Sequence, residues 1–288
     1  MAFDELMGLT NRLLADALAL AAMAARVRLD ELGERGDSVL REQLDRVLDE
    51  LGVREQLDGL EAGERAVLFA FARSYLAQGL DLIDDPSRPS SWSHADPILL
   101  QAQGSASAVV ATLISDLGLV SPRMRILDVG TGVAGLAAAF CRLVPEATVV
   151  GIDPWKPALE LARRNVEDAG LQSRVTLLET TIQEFDDAEG FDLAWLPSFF
   201  IPEASLEGAA RRIHSVLRPG GRLVVGLRFA SESGIATATD DLMTVRSGGS
   251  VLDGAGALAL LQGAGFTDVG EIERTWNPPL RFVVGTRR

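Results

Sequence analysis

A glycine-rich turn between a strand and a helix is the strongest chemical signal in the sequence. Residues 126–135 read ILDVGTGVAG, an apolar strand that leads into Gly130, Gly132 and Gly135. Glycine at these positions lets the backbone turn tightly and approach a bound group closely, because no Cβ fills the space. The amide groups at the start of the next helix then point toward the ligand. The pattern predicts a nucleotide-type binding loop.

A carboxylate follows at the spacing that a ribose requires. The next predicted strand, TVVGI, is followed directly by Asp153, which comes about 20 residues after the glycines. In folds with this loop, a carboxylate at that place accepts hydrogen bonds from the ribose hydroxyls. Capping of the following helix is the alternative role of Asp153. The order of the two motifs favours a nucleoside ligand.

Asp128, two residues before the first glycine, distinguishes between classes of nucleotide ligand. Under the loop, its carboxylate attracts an ammonium group and repels a pyrophosphate. This favours a zwitterionic, nonphosphorylated nucleoside such as S-adenosylmethionine. A nicotinamide-dependent oxidoreductase is the main alternative, although the single tyrosine, Tyr75, and the single lysine, Lys156, exclude the Tyr-x-x-x-Lys pair of short-chain reductases.

The elements that must position these residues alternate along the chain from Arg125 onward. This alternation predicts right-handed crossovers and a doubly wound, mostly parallel α/β sheet with helices on both faces. Residues 230–250 are expected to be irregular. Strand patterns lie near 126–130, 148–153, 174–179, 192–197, 222–228, 266–272 and 281–285, and helix patterns near 106–117, 134–144, 157–169, 205–217 and 254–263.

The first third of the chain has a different pattern. Residues 1 to about 85 are rich in Ala, Leu, Arg and Glu at amphipathic helical spacing, with no strand pattern among them. The Pro- and Ser-rich segment 84–91 separates them from the remainder. We therefore divide the chain into an all-helical N-terminal segment with its linker, 1–91, and a ligand-binding domain, 92–288. The apolar faces of the helical segment predict a cap over the site or a homodimer interface.

Five segments in order resemble the class I, Rossmann-like S-adenosylmethionine-dependent methyltransferases of the small-molecule type. They are ILDVGTGVAG, VVGIDPW, FDLAWLPSFF, LRPGGRLVVG and LLQGAGFTDV, and the resemblance covers about residues 92–288. It implies a seven-stranded sheet with one antiparallel strand and S-adenosyl-L-methionine as the cofactor. It also implies in-line methyl transfer that works by positioning and desolvation, for which a catalytic base is not essential.

The resemblance assigns cofactor contacts to residues that match the family pattern. The loop residues Asp128, Gly130, Thr131 and Gly132 are expected to hold the methionine moiety, and Asp153 to bind the ribose. Trp155 is expected against the adenine, with packing on the sheet edge as its alternative role. Further expected cofactor contacts are Thr181, Ile182, Leu196, Pro197, Gln103 and Gly104.

Candidates for the acceptor site flank these segments. Trp92, Phe199 and Phe200 are expected to form an apolar acceptor pocket, although each of these types also suits a core. His94 lies in an irregular stretch that would cover the site, and it is the candidate catalytic base or substrate contact. His214, the other histidine, has polar neighbours on a predicted helix and is expected to be structural.

Composition restricts the partners. With 27 basic and 41 acidic residues, the net charge of −14 argues against binding to nucleic acid or anionic lipid. Cys141 is the single cysteine, and His94-x-Asp96 lacks a third ligand, so no bound metal is expected. The N-terminus is acidic, and the longest uncharged run near it, Ala17 to Ala25, is far shorter than the roughly 20 apolar residues that span a bilayer. We therefore expect no export or membrane signal, and hence a cytoplasmic protein.

The sequence therefore predicts methyl transfer to a small, mostly apolar or aromatic metabolite of the kind made in secondary metabolism. The accepting atom is open between oxygen, nitrogen and carbon. C-methylation of an electron-rich ring such as an indole is one alternative. A protein that binds the cofactor without turnover is another.

Overall fold

The computed structural model describes residues 2–33, 38–229 and 233–288. They form two compact units, an N-terminal unit, Met1–Pro86, and a C-terminal unit, Ser87–Arg288. The division falls inside the segment 84–91, where the sequence predicts the linker.

The described part of the N-terminal unit is helical, as predicted. Buried Val27, Leu48 and Leu57 form the centre of its core. Arg26, which is only 7% exposed, donates from Nε to Asp45 at 2.6 Å and also pairs with Asp30. Paired carboxylates are what allow a guanidinium to be buried. The helices are α1 (Ala2–Glu31), α2 (Ser38–Leu51), α3 (Arg54–Asp58) and α4 (Ala62–Asp84).

The C-terminal unit is built on a seven-stranded sheet with strand order β3-β2-β1-β4-β5-β7-β6. Its strands are β1 (Arg125–Val129), β2 (Thr148–Ile152), β3 (Val175–Leu178), β4 (Phe191–Pro197), β5 (Leu217–Arg228), β6 (Thr267–Glu271) and β7 (Leu280–Thr286). Its helices are α5 (Pro97–Asp116), α6 (Gly135–Leu143), α7 (Lys156–Asp168), α8 (Glu203–Val216), α9 (Gly234–Arg246) and α10 (Gly254–Gly263).

The sheet confirms the predicted fold class. Strands β1 to β5 pair in parallel, whereas β7 runs antiparallel to both β5 and β6. Apolar residues of the central strands are buried on both faces, as expected for parallel strands covered by helices. The strand order places β1 inside the sheet, with β2 on one side and β4 on the other. This is the topological switch point where ligands bind in open α/β sheets.

Two predicted boundaries need correction. The helix expected near 106–117 begins at Pro97, because Asp96 caps it by accepting from the Ile98 amide at 2.8 Å and because proline suits a first helical turn. The stretch 230–250, expected to be irregular, contains α9. The polar residues of α9 give it a weak apolar period, so the sequence pattern did not reveal this helix.

Three helices bear on the expectation that no segment enters a membrane. By length and composition alone, α1, α4 and α5 are long and apolar enough to cross a bilayer. The uncharged run Ala17 to Ala25 covers only part of α1 and none of α4 or α5, so it did not reveal these helices. Residues 97–115 of α5 carry no charge at all. Composition therefore does not support the expected absence of a spanning segment.

A pair of glycines sets the distance between α5 and α6. A Cβ on Gly135 would lie 2.0 Å from the carbonyl oxygen of Gly104 and 2.8 Å from its Cα. A Cβ on Gly104 would lie 2.2 Å from Cγ2 of Val133. Side-chain carbons do not approach this closely, so the third glycine of the loop motif is required for helix packing.

Replacing Gly135 tests this contact. Gly135→Ala is expected to lower the free energy of unfolding by about 1–3 kcal/mol, because the backbone of α5 has to move. Gly208→Ala in α8 is the matched control. No heavy atom of the described residues lies within 4 Å of that added Cβ, and alanine favours a helix by roughly 0.5–1 kcal/mol. Urea denaturation measures both variants, and equal stabilities would contradict the close contact.

Candidate cofactor and acceptor site

A cavity of about 430 Å³ opens at the carboxyl ends of β1 and β2. Its volume falls within the roughly 300–1,000 Å³ of small-molecule pockets. The glycine loop, the end of β2 and the start of α7 form one part of its wall. The segments 90–92, 200–202 and 247–248 form another part. The cavity therefore lies where the sequence places the nucleoside.

The glycine loop rests directly on the end of β2. Gly130 and Gly132 have φ of 70° and 56°, a region that favours glycine. The amides of Gly130 and Thr131 both donate to the carbonyl oxygen of Ile152, at 2.8 and 3.0 Å. A Cβ on Gly151 would lie 2.6 Å from Oγ1 of Thr131. The strand glycine is therefore a part of the site that the motif search missed, and a glycine inside a strand was the available signal.

Asp153 joins the loop to α7 through both of its carboxylate oxygens. Oδ2 accepts from the Gly132 amide at 2.9 Å, and Oδ1 accepts from the Trp155 amide at 2.7 Å. Burial raises the pKa of Asp153, and these two backbone bonds offset part of the rise. A carboxylate oxygen can accept more than one hydrogen bond. Asp153 lines the cavity and can therefore accept two ligand hydroxyls while it anchors the loop.

Asp128 is placed differently from the expectation of direct cofactor contact. It is 1% exposed and is not among the described residues that line the cavity. Its Oδ2 accepts from Oγ1 of Thr131 at 2.7 Å, and Thr131 lines the cavity instead. Burial raises the pKa of Asp128 to about 7, with the Thr131 bond opposing the rise and the charge of Asp153 adding to it. Asp128 thus supports the loop from behind.

The other predicted cofactor residues divide into two groups. Leu196 is fully buried in the core, and neither it nor Pro197 belongs to the described cavity wall. Pro197 lies under the loop, with its Cγ 3.9 Å from the place that a Cβ on Gly130 would occupy. The predicted residues that line the cavity are Gln103, Gly104, Gly130, Thr131, Gly132, Asp153, Trp155, Thr181 and Ile182.

Two of the three predicted acceptor-pocket residues meet at the cavity. Trp92 and Phe200 line it, with ring centroids 5.5 Å apart and ring planes nearly perpendicular. Phe199 is 8% exposed and packs in the core, with its ring against Phe200 on one side and the Arg228 guanidinium over it. The expectation that Phe199 lines the pocket is corrected, because the short 3₁₀ turn after β4 directs only one of the two adjacent rings outward.

Both histidines lie outside the cavity wall. The His94 ring packs edge-on against Trp92 at 5.2 Å, and the His94 carbonyl accepts from Nε1 of Trp155 at 2.9 Å. His94 therefore contacts two tryptophans of the wall but does not itself line the cavity. This placement gives no support to a role of His94 as a catalytic base. His214 packs edge-on against Phe266 at 4.9 Å, and burial lowers its pKa.

The linker and the turn after α9 form a part of the wall that the sequence did not predict. Ser90, Ser91, Ser247 and Gly248 all line the cavity. The Ser91 amide donates to the carbonyl of Arg246 at 3.2 Å. Gly248 has φ of 80°, and a Cβ there would lie 3.0 Å from Cα of Ser91. The adjacent glycines at 248–249 are the signal that the sequence offers, although the pattern of this stretch predicts only irregular structure.

Metal ligands are not gathered at this site or elsewhere in the described ranges. Among residues 2–33, 38–229 and 233–288, no group of three or more His, Cys, Asp or Glu side chains is placed to hold an ion. The chemistry of the cavity therefore has to be derived from its hydroxyls, rings and single carboxylate.

The central part of the chain is similar to a known domain family. Residues 126–221 match the model of a methyltransferase domain. A demethylmenaquinone methyltransferase of Thermus thermophilus is 39% identical over 110 residues, which are 38% of this chain and 50% of that protein. The chain spans about half the length of this curated relative.

Two solved structures resemble the whole chain. An O-methyltransferase family protein from Burkholderia thailandensis superposes with a TM-score of 0.71 at 16% identity, covering 100% of this chain and 98% of that one. Human N-acetylserotonin methyltransferase, solved with S-adenosylmethionine, superposes with a TM-score of 0.69 at 15% identity, covering 100% of this chain and 98% of that one. At these identities the likeness shows the fold.

The buried Asp128 makes stability depend on pH. An aspartate in an unfolded chain has a pKa of about 3.9, whereas that of folded Asp128 is about 7. Between these values the folded state holds a proton that the unfolded state lacks, so stability falls as pH rises from about 4 to 7. Asp128→Asn keeps an acceptor for Thr131 and cannot ionise.

We expect Asp128→Asn to match the native chain at about pH 4 and to exceed its free energy of unfolding by at least about 1 kcal/mol at about pH 8. Urea denaturation at the two pH values measures this. If the difference in free energy of unfolding between the native chain and Asp128→Asn is the same at both pH values, Asp128 is ionised in the folded protein at both.

Proposed function

We propose that the protein is an S-adenosylmethionine-dependent methyltransferase that acts on a small, mostly apolar or aromatic acceptor. The chain carries a class I methyltransferase domain, and S-adenosyl-L-methionine is the cofactor of that class. The observation that carries the proposal is Asp153. Its carboxylate is anchored to the backbone on two sides at the wall of a nucleoside-sized cavity.

The residues present fit this cofactor. The left-handed Gly130 and Gly132 leave room for a close backbone approach, and Gln103 and Gly104 border the same part of the cavity. Asp153 can accept both ribose hydroxyls, while Trp155 and Ile182 provide apolar surface for the adenine. When bound, the cofactor supplies an electrophilic methyl group.

The chain contributes positioning and exclusion of water. Trp92 and Phe200 offer two apolar rings, set nearly at a right angle to each other, for the acceptor, and serine hydroxyls of the linker and the 247–248 turn can orient its polar atoms. Holding two reactants in line removes much of the entropic barrier of a bimolecular transfer. Removal of water strengthens the electrostatic interactions of the reacting atoms.

Oxygen is the accepting atom that we favour. The neighbour from Burkholderia thailandensis is described as an O-methyltransferase family protein, and the hydroxyl-rich wall suits an acceptor with a polar oxygen. Carbon methylation of an electron-rich ring such as an indole is the second candidate, because the surface formed by Trp92 and Phe200 also suits a flat ring.

Calorimetric titration with S-adenosylhomocysteine tests the cofactor. We expect micromolar binding of this product and no binding of NADH or NADPH. Asp153→Ala is expected to weaken the binding of S-adenosylhomocysteine by about 1–3 kcal/mol, because the ribose bonds are lost. Asp153→Asn separates the loss of charge from the loss of the loop anchor.

Asp168→Ala is the matched control for this titration, since Asp168 is exposed at the end of α7. It should bind as the native chain does. Unchanged affinity in Asp153→Ala would remove Asp153 from the ribose site, and binding only to a nicotinamide would overturn the proposed function.

We also propose that the first half of α1 is a homodimer interface. It exposes several large apolar side chains, Phe3, Leu6, Met7, Leu9, Leu13, Leu14 and Leu18. A face of this kind is costly in water, and a second copy of the same helix would cover it.

Size-exclusion chromatography with light scattering tests the interface. The native chain is expected to be a dimer, and the double variant Leu14→Arg, Leu18→Arg a monomer with unchanged binding of S-adenosylhomocysteine. Leu143→Arg is the control, because Leu143 is a comparably exposed leucine, 44% exposed, on α6. A native monomer that binds to neutral lipid vesicles would instead identify α1 as a membrane-contacting helix.

A further inference from the structure

We propose that the chain has a second ligand site, separate from the cofactor cavity, that binds a small zwitterion with an apolar substituent, of the class of a free aliphatic amino acid. The site is a cavity of about 490 Å³ whose wall includes the end of β5, residues of α9 and the segment 250–253. Its described lining shares no residue with that of the first cavity. The inference therefore does not depend on the proposed function.

Charged side chains of both signs line the second cavity. Arg228 lies at the end of β5, whereas Asp240 and Asp241 lie on α9, and all three are half-buried. Among the described residues, the two aspartate side chains form no hydrogen bond and no ion pair, so they do not pair with Arg228 across the cavity. Burial of charges without partners is costly. A ligand that carries groups of both signs would offset this cost.

The other charged side chains of this wall already have partners. Arg281 donates from Nε and Nη2 to the carboxylate of Glu271, at 2.6 and 2.8 Å. Asp253 caps α10, since its Oδ1 accepts from the Gly256 amide at 2.7 Å. The charged groups that remain for a ligand are therefore one guanidinium and two adjacent carboxylates.

Arg228 is suited to a carboxylate. The central carbon of its guanidinium lies 4.7 Å from the centre of the Phe199 ring, so this ring covers one face of the group. None of its N–H donors, including the buried Nε, has a hydrogen-bond partner in the described part of the chain. A planar guanidinium matches a carboxylate with two parallel hydrogen bonds. A ligand carboxylate is therefore expected at Arg228, and a ligand ammonium at the aspartates of α9.

A buried hydroxyl identifies the same cavity independently of the charges. Thr244 of α9 lines the cavity and is 3% exposed. Its Oγ1 has no hydrogen-bond partner among the residues that the structure describes, whereas Oγ1 of Thr239 in the same helix donates to the carbonyl of Ile235 at 3.0 Å. Buried polar atoms without a partner are rare in folded proteins. A polar group of a ligand at this wall would supply the missing partner of Thr244.

The remaining wall is apolar. Phe229, Val251 and Leu252 line the cavity, and Val251 is 55% exposed. An aliphatic substituent on the ligand would cover this surface. An anion alone would leave the aspartates unpaired, and a cation alone would leave Arg228 unpaired. An α-amino acid with an aliphatic side chain matches all three parts of the wall, and its net charge of zero avoids repulsion by the net charge of −14 on the chain.

Binding of L-leucine to the full chain tests the site. Saturation-transfer NMR on the methyl groups of the ligand measures its affinity, and we expect a dissociation constant that is roughly millimolar or lower. Two analogues of the same shape should bind at least about tenfold more weakly: isocaproate, which lacks the ammonium group, and isoamylamine, which lacks the carboxylate. Equal binding of either analogue would overturn the assignment to a zwitterion. Failure of L-leucine to bind the folded chain would overturn the site.

Substitutions locate the bound amino acid. Arg228→Gln and Asp241→Asn are each expected to weaken the binding of L-leucine at least about tenfold. Arg222→Gln, exposed on the same strand as Arg228, and Asp168→Asn, exposed at the end of α7, are the matched controls and should bind as the native chain does. Circular dichroism checks that each variant folds. Asp241 lies on a partly exposed helix, so its variant tests the site even if Arg228→Gln is unfolded. Unchanged affinity in the folded variants would overturn the proposal.

Competition with S-adenosylhomocysteine separates the two cavities. A free amino acid resembles the methionine part of the cofactor, so the first cavity is the competing location for L-leucine. We expect saturating S-adenosylhomocysteine to leave the affinity for L-leucine unchanged. Displacement of L-leucine would place it in the first cavity and overturn the second site. If S-adenosylhomocysteine itself does not bind, the proposed function fails, and the two substitutions alone decide the second site.

Discussion

The site depends on one carboxylate that is hydrogen-bonded to the backbone on both sides. Asp153 receives the amide of Gly132 from the loop after β1 and the amide of Trp155 before α7. These bonds join two consecutive crossover units of the sheet and hold the carboxylate at the cavity. The anchoring residue and the proposed ribose ligand are therefore the same residue, so the geometry of the cofactor site and the local fold cannot vary independently.

The nucleotide side of the site could be predicted from the sequence because its determinants are local. A strand, a glycine turn and a second strand that ends at Asp153 have fixed spacing, and backbone sterics alone require Gly130 and Gly132. The mostly parallel sheet followed from the same alternation. Asp128 shows the limit of this reasoning, since spacing places a residue near the loop but does not reveal that Thr131 lies in front of it.

The proposed acceptor side could not be predicted because its contacts join distant segments. Ser91 meets Arg246 and Gly248 across about half of the chain, and no local pattern records such a contact. Phe199 and Phe200 are adjacent and similar in type, yet only Phe200 lines the cavity. Which of the two rings turns outward is decided by the turn after β4 and by the packing of Arg228 over Phe199.

The contact between Ser91 and Gly248 has a consequence for how such a protein can change over evolutionary time. Both residues lie outside the segment 126–221 that carries the methyltransferase domain match, and both line the cavity on the side formed by the linker and the turn after α9. Substitutions in the linker and in the turn after α9 can therefore reshape the acceptor side while leaving Asp153 and its amides in place. Substrate range and cofactor use can in this way diverge separately within one domain.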